Sequence, residues 1–431
     1  MVNERRGLIF IFALYFLLGI GYSLLMPIWE APDEGAHYHV GWHLMRYDEY
    51  PSLDVNYEAH QPRAFYYLGS WVLETLNDID PEYARYTFPE EFTRNIRVPE
   101  RRFDWTDENY IFLPGVYVLR WINLIFGGFA LWLNWKTFKL IAPDQPTLCL
   151  AALALAALTP QYLHIMSSVN NDALGTLAGA LLIYLMIRFL VQPTILLGLL
   201  TITLALLLPV LTKLTVLPAS AAALLIIGWK WLFGFRQKRW LIYSGGLILM
   251  GVGLLYVLFP EIIQSAVSEI QWRLFSFRRN ALTSEYIKTI TSQLLWTYWG
   301  KVGWLAVGLP FWFILLLSGF GFIGTALHAY RLIKQRMDHP QFALWFAVGL
   351  IAAFTVLAVF RNGLTTFGAQ GRLLFPAIGA LSLLMISGWH DVSSLRLQRY
   401  LPALIITLFI VCNLYIWLTG VLPIYYQPFF D

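Results

Sequence analysis

Charge is scarce in this chain. Asp, Glu, Lys and Arg make up 13% of its 431 residues, against roughly 25% in a soluble globular protein. With 58% hydrophobic residues and a mean hydropathy of +0.59, the composition is that of a polytopic membrane protein. Cysteine is also scarce. Cys149 and Cys412 both lie inside apolar runs, which excludes a disulfide framework and a thiolate metal site. Internal repeats and low-complexity tracts are missing. So is a cleavable leader: the run from Leu8 to Ile28 exceeds an h-region of about 7–15 residues, and no small-residue cleavage site follows it. That run is expected to remain as a first membrane helix.

What the chain does have is long apolar runs, each near the ~20 residues that cross a bilayer. They fall at about 8–28, 111–134, 147–165, 173–191, 194–211, 214–232, 240–259, 303–327, 341–360, 373–389 and 401–422. The fourth to sixth are closely spaced, so one of them is a candidate for half-insertion. The expected fold is all-α: a polytopic transmembrane helical bundle of about 11 spans, forming a single membrane domain over residues 1–431. Two polar segments interrupt it, at about 29–110 and about 260–302. The first holds 17 of the 26 acidic residues and four of the eight histidines, so candidate chemistry concentrates there.

The net charge of +4 says little beside its distribution. With the N-terminus inside, the inner loops carry Lys230, Arg236, Lys238, Arg239, Arg331 to Arg336, Arg396 and Arg399, with few acids (Glu4, Asp144, Asp338, Asp391). Short basic loops mark the cytoplasmic side. Both polar segments then lie on the outer face of a cytoplasmic membrane. Trp42, Phe65, Tyr66, Tyr67, Trp71 and Trp105 suit interfacial helices in the first segment. Ala36, Val40, Leu44 and Tyr47 would form the apolar stripe of one, with Asp33 and His37 on a different face.

Directly after the first run and Trp29 comes Glu30-Ala31-Pro32-Asp33-Glu34-Gly35-Ala36-His37. Pro32-Asp33-Glu34 suits the first turn of a helix. It also sets carboxylates at a membrane surface, where a general base would take a proton from an attacking hydroxyl. Asp33 and His37 stand four apart, a spacing open to a metal or a hydrogen bond, and with Asp172 they are the metal candidates. A zinc-protease motif is excluded, since H-E-x-x-H needs histidine where Asp33 stands. In Tyr57 to Tyr67, Gln61-Pro62 marks a turn, while His60 and Arg63 are donors able to face an anion. Arginine's planar fork suits phosphate.

Ser167 to Asp172 reads as a helix cap or as part of a site. Lys213 lies between two apolar runs, where an ionisable group is a functional candidate by default. Lys301 sits in Trp299-Gly300-Lys301-Val302-Gly303-Trp304, an aromatic anchor at the interface. Arg372, in Gln370-Gly371-Arg372, stands at the mouth of the tenth run, with snorkelling as the bland alternative. On the expected topology, Asp33, His60, Arg63, Asp172, Lys213, Lys301 and Arg372 share one side of the membrane. Carboxylates and cations together there fit an anionic, lipid-anchored donor and a deprotonatable acceptor.

At these residues the chain resembles the GT-C class of membrane glycosyltransferases, which includes protein O-mannosyltransferases and bacterial lipid A aminoarabinose transferases. Within it, the likeness points to bacterial proteins grouped as domain-of-unknown-function family 2142. It is carried by Pro32-Asp33-Glu34 with His37, Gln61-Pro62 with Tyr66-Tyr67, Asn170-Asn171-Asp172, Trp299-Gly300 with Gly303-Trp304, and Gln370-Gly371-Arg372 with Phe375-Pro376. The resemblance implies that Asp33, with Glu34 adjacent, is the catalytic base, and that Arg63, Lys213 and Arg372 hold the donor phosphate. Relatives read Gln-Pro-Pro where this chain has Gln61-Pro62-Arg63, which bears on Arg63. His37, His60, Gln61, Asp172 and Lys301 complete the candidate site, and a divalent cation, Mg or Mn, is left open as cofactor.

The function so implied is transfer of a hexosyl or pentosyl group from a polyprenyl-phosphate donor. The acceptor is a lipid, glycan or protein; the bilayer is a partner and nucleic acid is not. Two rivals stand beside it. A transporter or flippase for lipid-linked saccharides would need inverted repeats and broken helices near mid-membrane, and the sequence displays neither. A non-catalytic scaffold would have no use for an intact Asp33 and its cations.

Overall fold

The computed structural model describes residues 4–76, 114–234, 283–334, 339–366 and 368–426. The chain runs α1 Glu4–Leu25, α2 Glu34–Tyr47, α3 Ala64–Leu76, α4 Pro114–Ile141, α5 Pro146–Leu158, α6 Pro160–Met166, α7 Asp172–Val191, α8 Ile195–Leu211 and α9 Leu217–Gly234. It continues with α10 Ser284–Trp299, α11 Phe311–Lys334, α12 His339–Thr365, α13 Ile378–Val392 and α14 Leu395–Ile416. A short antiparallel hairpin, β1 Lys301–Val302 with β2 Val307–Gly308, precedes α11. The fold is the all-α bundle that the apolar runs imply.

Among the described residues, eight helices are long and apolar enough to cross a membrane, and the bent pair α5 and α6 makes a ninth candidate. The expected span at 240–259 lies outside the described residues, as do positions 77–110 and 260–282 of the two polar segments. Three expected boundaries shift. α1 stops at Leu25, before the expected 28, because the chain turns through Met26 to Asp33. The run expected from 303 becomes helical only at Phe311, since residues 301–308 form the hairpin, with Gly303 and Leu305 at φ 65 and 63. The expected single span at 147–165 is broken by 59°. Pro160 lacks an amide proton and pushes the preceding residue out of the helical region, and Thr159 duly takes ψ 122. A broken helix is therefore present after all.

Ala-rich α5 is the centre of the bundle. All its side chains from Leu148 to Leu158 are buried, against α1, α4, α13 and α14. Small side chains let those neighbours close in from every side. A second, aromatic core forms a cap at one end, where α2 and α3 pack on each other and on α4. There Trp42, Phe65, Tyr66, Val116 and Val169 meet. Gly41 faces the Gly69 backbone, and a Cβ on it would stand 3.5 Å from the Gly69 carbonyl carbon, so the two helices cross closely. As a result α2 buries nearly a whole flank, including Ala36, His37, Val40 and Leu44, and only Tyr47 of the expected stripe is exposed. His37 is not on a separate polar face.

The chain alternates between two ends. At the end opposite the cap, Lys139 pairs with Glu4 at 3.2 Å, the Gln341 amide donates to the Ile141 carbonyl, and Arg331 and His328 both hold Asp391. At the cap end, the 26–33 turn, the starts of α4 and α7, the end of α8 and the residues before α13 converge.

Candidate active site

Asp33 is the N-cap residue of α2 and has φ 63. Trp29, four residues earlier, has φ 71. Aspartate tolerates this left-handed region better than most residues, and tryptophan poorly, so neighbouring contacts must hold the turn. They centre on Glu34. Its carboxylate takes two bonds from Arg120, at 2.8 and 2.6 Å, and two more from the backbone N–H groups of Trp29 and Val169. The remaining Arg120 protons go to the carbonyls of Ser23, Met26 and Pro27. Both side chains are fully buried. This knot ties the end of α1, the turn, α2, α4 and the loop before α7 to one point. Glu34 is thus turned into the scaffold with every oxygen engaged, which corrects its placement beside Asp33 as a second candidate base.

Asp33 points the other way. Its Oδ2 lies 2.6 Å from Arg372 Nη2, and its Oδ1 accepts from the Tyr57 hydroxyl at 3.1 Å. Arg372 also approaches Asp172, at 3.6 Å, and Asp172 pairs with Lys213 at 2.8 Å. The result is an alternating row, Lys213, Asp172, Arg372, Asp33, built from α7, the end of α8, the turn before α13 and the start of α2. Two glycines permit it: a Cβ on Gly371 would collide with the Tyr298 backbone, and one on Gly175 would stand 2.9 Å from the Lys213 Cβ. The capping role read from the sequence before α7 falls to Asn170, whose Oδ1 accepts from the amides of Asp172 and Ala173. That leaves Asn171 to receive Lys213 Nζ at 2.6 Å and to bond Gln61.

Electrostatics follow from this row. Burial pushes the Asp33 carboxyl up, but Arg372, His37 and the bond from Tyr57 outweigh it and hold Asp33 below its ordinary value. Asp33 is therefore ionised at neutral pH. Burial pushes the His37 imidazole down; Glu58 and Asp33 oppose this, and Lys213 and Arg372 reinforce it. His37 is neutral there. Its Nδ1 lies 2.8 Å from the Tyr66 hydroxyl and its Nε2 3.9 Å from Glu58 Oε2.

The structure thus gathers Asp33, Asp172, Lys213 and Arg372, with His37 and Gln61 alongside. Three candidates are engaged otherwise. His60 Nδ1 lies 2.6 Å from the Tyr57 carbonyl, the Arg63 guanidinium lies over the Tyr50 ring at 4.3 Å, and Lys301 Nζ lies over the Trp296 ring at 3.7 Å. The metal set proposed from Asp33, His37 and Asp172 does not form: both carboxylates face cations, and among the described residues no three His, Cys, Asp or Glu side chains are grouped to hold an ion. Sequence reasoning missed Arg120, Tyr57 and Glu58. Arg120 had a signal, being a lone charge among the apolar residues Leu119 to Phe129 apart from Asn123. Tyr57 and Glu58 had none.

No protein-family model matches this chain, and no curated protein matches it. Solved structures do. ArnT from Cupriavidus metallidurans, bound to undecaprenyl phosphate, matches with a TM-score of 0.50 at 13% identity, over 97% of this chain and 73% of that one. The archaeal oligosaccharyltransferase AglB from Archaeoglobus fulgidus, in complex with an inhibitory peptide and a dolichol-phosphate, reaches a TM-score of 0.45 at 14% identity, over 97% of this chain and 55% of that one. At such identity the likeness to ArnT speaks for the fold alone: this chain shares the membrane fold of that structure.

Proposed function

We propose that this protein is an integral-membrane glycosyltransferase that moves one sugar from a polyprenyl-phosphate donor to an acceptor hydroxyl. The observation that carries the reading is the Asp33–Arg372 contact: an ionised carboxylate with partial exposure, 21% at its side chain, set against a cation whose fork suits phosphate. The ArnT structure, of the same fold, holds undecaprenyl phosphate. In the reaction, Arg372 and Lys213 pair with the donor phosphate, which loosens Arg372 from Asp33. Asp33 then accepts the proton of the acceptor hydroxyl while that oxygen bonds to the anomeric carbon. The carbon–oxygen bond to the phosphate breaks, and its electron pair leaves on the phosphate oxygen, where the two cations stabilise the charge. The leaving group needs no proton, so no second carboxyl acid is required, unlike in glycosidases. A single displacement inverts the anomeric configuration.

We read this site as lying on the outer face of the cytoplasmic membrane, with the N-terminus inside, a reading that the short basic loops support. The finer likeness to family 2142 rests on the short motifs alone. A transporter gains one feature from the break at Thr159, but the polar groups beyond it, Gln161 and His164, accept the backbone N–H groups of Lys301 and Gly303. The break seats the hairpin. The test is transfer from a panel of radiolabelled polyprenyl-phosphate sugars in membranes containing the protein. Label should move to an acceptor with the natural chain and not with Asp33→Asn. Equal transfer by both would overturn the reading.

A further inference from the structure

Glu58 has no part in the chemistry above, yet its carboxylate is held firmly beside it. It lies in the single turn Tyr57–His60. Asn56 fastens that turn to α2, accepting from the Glu58 amide at 2.8 Å and donating to the Ala36 carbonyl at 3.0 Å. Glu58 is 6% exposed and His37 2%. Among the described residues, Glu58 Oε2 is buried and has no hydrogen bond. A buried carboxylate oxygen left in that state is costly, so the site is built for something that donates to it.

The partner across the gap defines what that is. Burial pushes the Tyr66 hydroxyl well above its ordinary range, so it keeps its proton, and we assign that proton to the 2.8 Å contact with His37 Nδ1, the tautomer being assigned and not observed. In a neutral ring the other nitrogen then carries the proton. His37 Nε2–H, a donor, and Glu58 Oε2, an acceptor, stand 3.9 Å apart. That is too far for a direct bond, and one oxygen at about 2.8 Å from each spans it. The atom in the gap must accept from nitrogen and donate to carboxylate. A hydroxyl does both. A phosphate oxygen donates nothing, and an ammonium cannot accept from Nε2–H.

We propose that His37 and Glu58 clamp one hydroxyl of the transferred sugar, an inference that rests on the glycosyltransferase reading of the same site. The pair is buried, Glu58 at 6% and His37 at 2%, while Tyr57, which bonds Asp33 Oδ1, is 50% exposed. The acceptor, which has to arrive and leave, takes the open side. The donor sugar takes the closed one. Selection then falls on the position and configuration of one hydroxyl, and the clamp makes Glu58 a specificity-determining residue.

The experiment measures binding of polyprenyl-phosphate hexoses and pentoses to the full chain in nanodiscs, each sugar also with single hydroxyls replaced by hydrogen, and with bare polyprenyl phosphate as control. For the preferred sugar, loss of one particular hydroxyl should weaken binding about 10–100-fold, the range for a hydrogen bond to a charged group. In Glu58→Gln the intact sugar should bind more weakly, that deoxy form should lose little further, and bare polyprenyl phosphate should bind as before. His37→Ala has the same readout if Glu58→Gln does not fold. Equal penalties for every deoxy form in natural and variant chains would overturn the clamp, assign the gap to a structural water, and leave the transferase reading standing. If no sugar binds the natural chain better than bare polyprenyl phosphate, the transferase reading itself falls, and the clamp with it.

Discussion

Two arginine–carboxylate pairs stand side by side at the cap end, formed by neighbours in sequence. Glu34–Arg120 is sealed, with both side chains at 0% exposure and four donors on the one carboxylate. Asp33–Arg372 keeps 21% exposure on the carboxylate and 9% on the arginine, and Arg372 has a second acid, Asp172, within 3.6 Å. The sealed pair has no capacity left for a ligand. The open pair shares its charges along a row with Asp172 and Lys213. Similar side chains thus serve opposite ends, and what separates them is how much of each group's hydrogen-bonding capacity the protein itself has used.

The largest effect should come from Asp33→Asn. General-base assistance contributes about 10²–10⁴-fold, so turnover should fall by roughly that factor while the melting temperature of the purified protein hardly moves. Near-normal turnover would place the base elsewhere. Glu34→Gln should do the reverse. It leaves Arg120 buried without its counter-charge, a change that costs about 3–5 kcal/mol, read as a lowered melting temperature and poor yield. Replacing both, as Glu34→Met with Arg120→Met, should recover much of that loss, since apolar groups of similar size often substitute for a sealed ion pair. A double variant less stable than Glu34→Gln would show that the knot's backbone bonds dominate.

A smaller change is expected from Arg372→Lys, which keeps the charge and loses the fork. Polyprenyl-phosphate binding should weaken about tenfold, the low end for one hydrogen bond to a charged group. Unchanged affinity would reduce Arg372 to a partner of Asp33. The acid limb of the rate profile refines this. Asp33 is held below its ordinary value of 3.8, so the base is ionised throughout neutral pH, and activity should fall only as pH drops through that lowered value. Any stability from its pairing is present above the unfolded value and lost in the same descent. In Arg372→Gln the limb should move to higher pH; an unmoved limb would mean that another group sets it.

The last prediction concerns which side each end faces and should leave activity untouched. Ser52 is exposed at the cap end and Gln192 at the other, and the native thiols Cys149 and Cys412 are buried. An impermeant maleimide should label Ser52→Cys on intact cells, and Gln192→Cys only once they are opened. The opposite pattern would put the site on the cytoplasmic face.

Membrane insertion, the all-α class and most helix positions were legible in the sequence, because they follow from local hydropathy and from the need to satisfy every backbone amide within a segment. Asp33 stood out there as a candidate, because an acid just past the first span is conspicuous among so few charges. Arg120 was legible in principle, as a lone guanidinium in an apolar run, but nothing local says which acid it meets. The separation of Asp33 from Glu34, and the meeting of Asp172 with Lys213 and Arg372, depend on contacts spanning 41 to 339 positions along the chain. The left-handed turn at Asp33 is likewise flanked by groups that the distant Arg120 holds, the carbonyls of Met26 and Pro27 and the Glu34 carboxylate. The residue types and their hydropathy therefore determined that this chain enters a membrane with a carboxylate at its surface. Only the tertiary structure decided which of two adjacent acids is locked into the scaffold and which stays open to chemistry, since an ion pair's role depends on partners and burial that the local sequence does not contain.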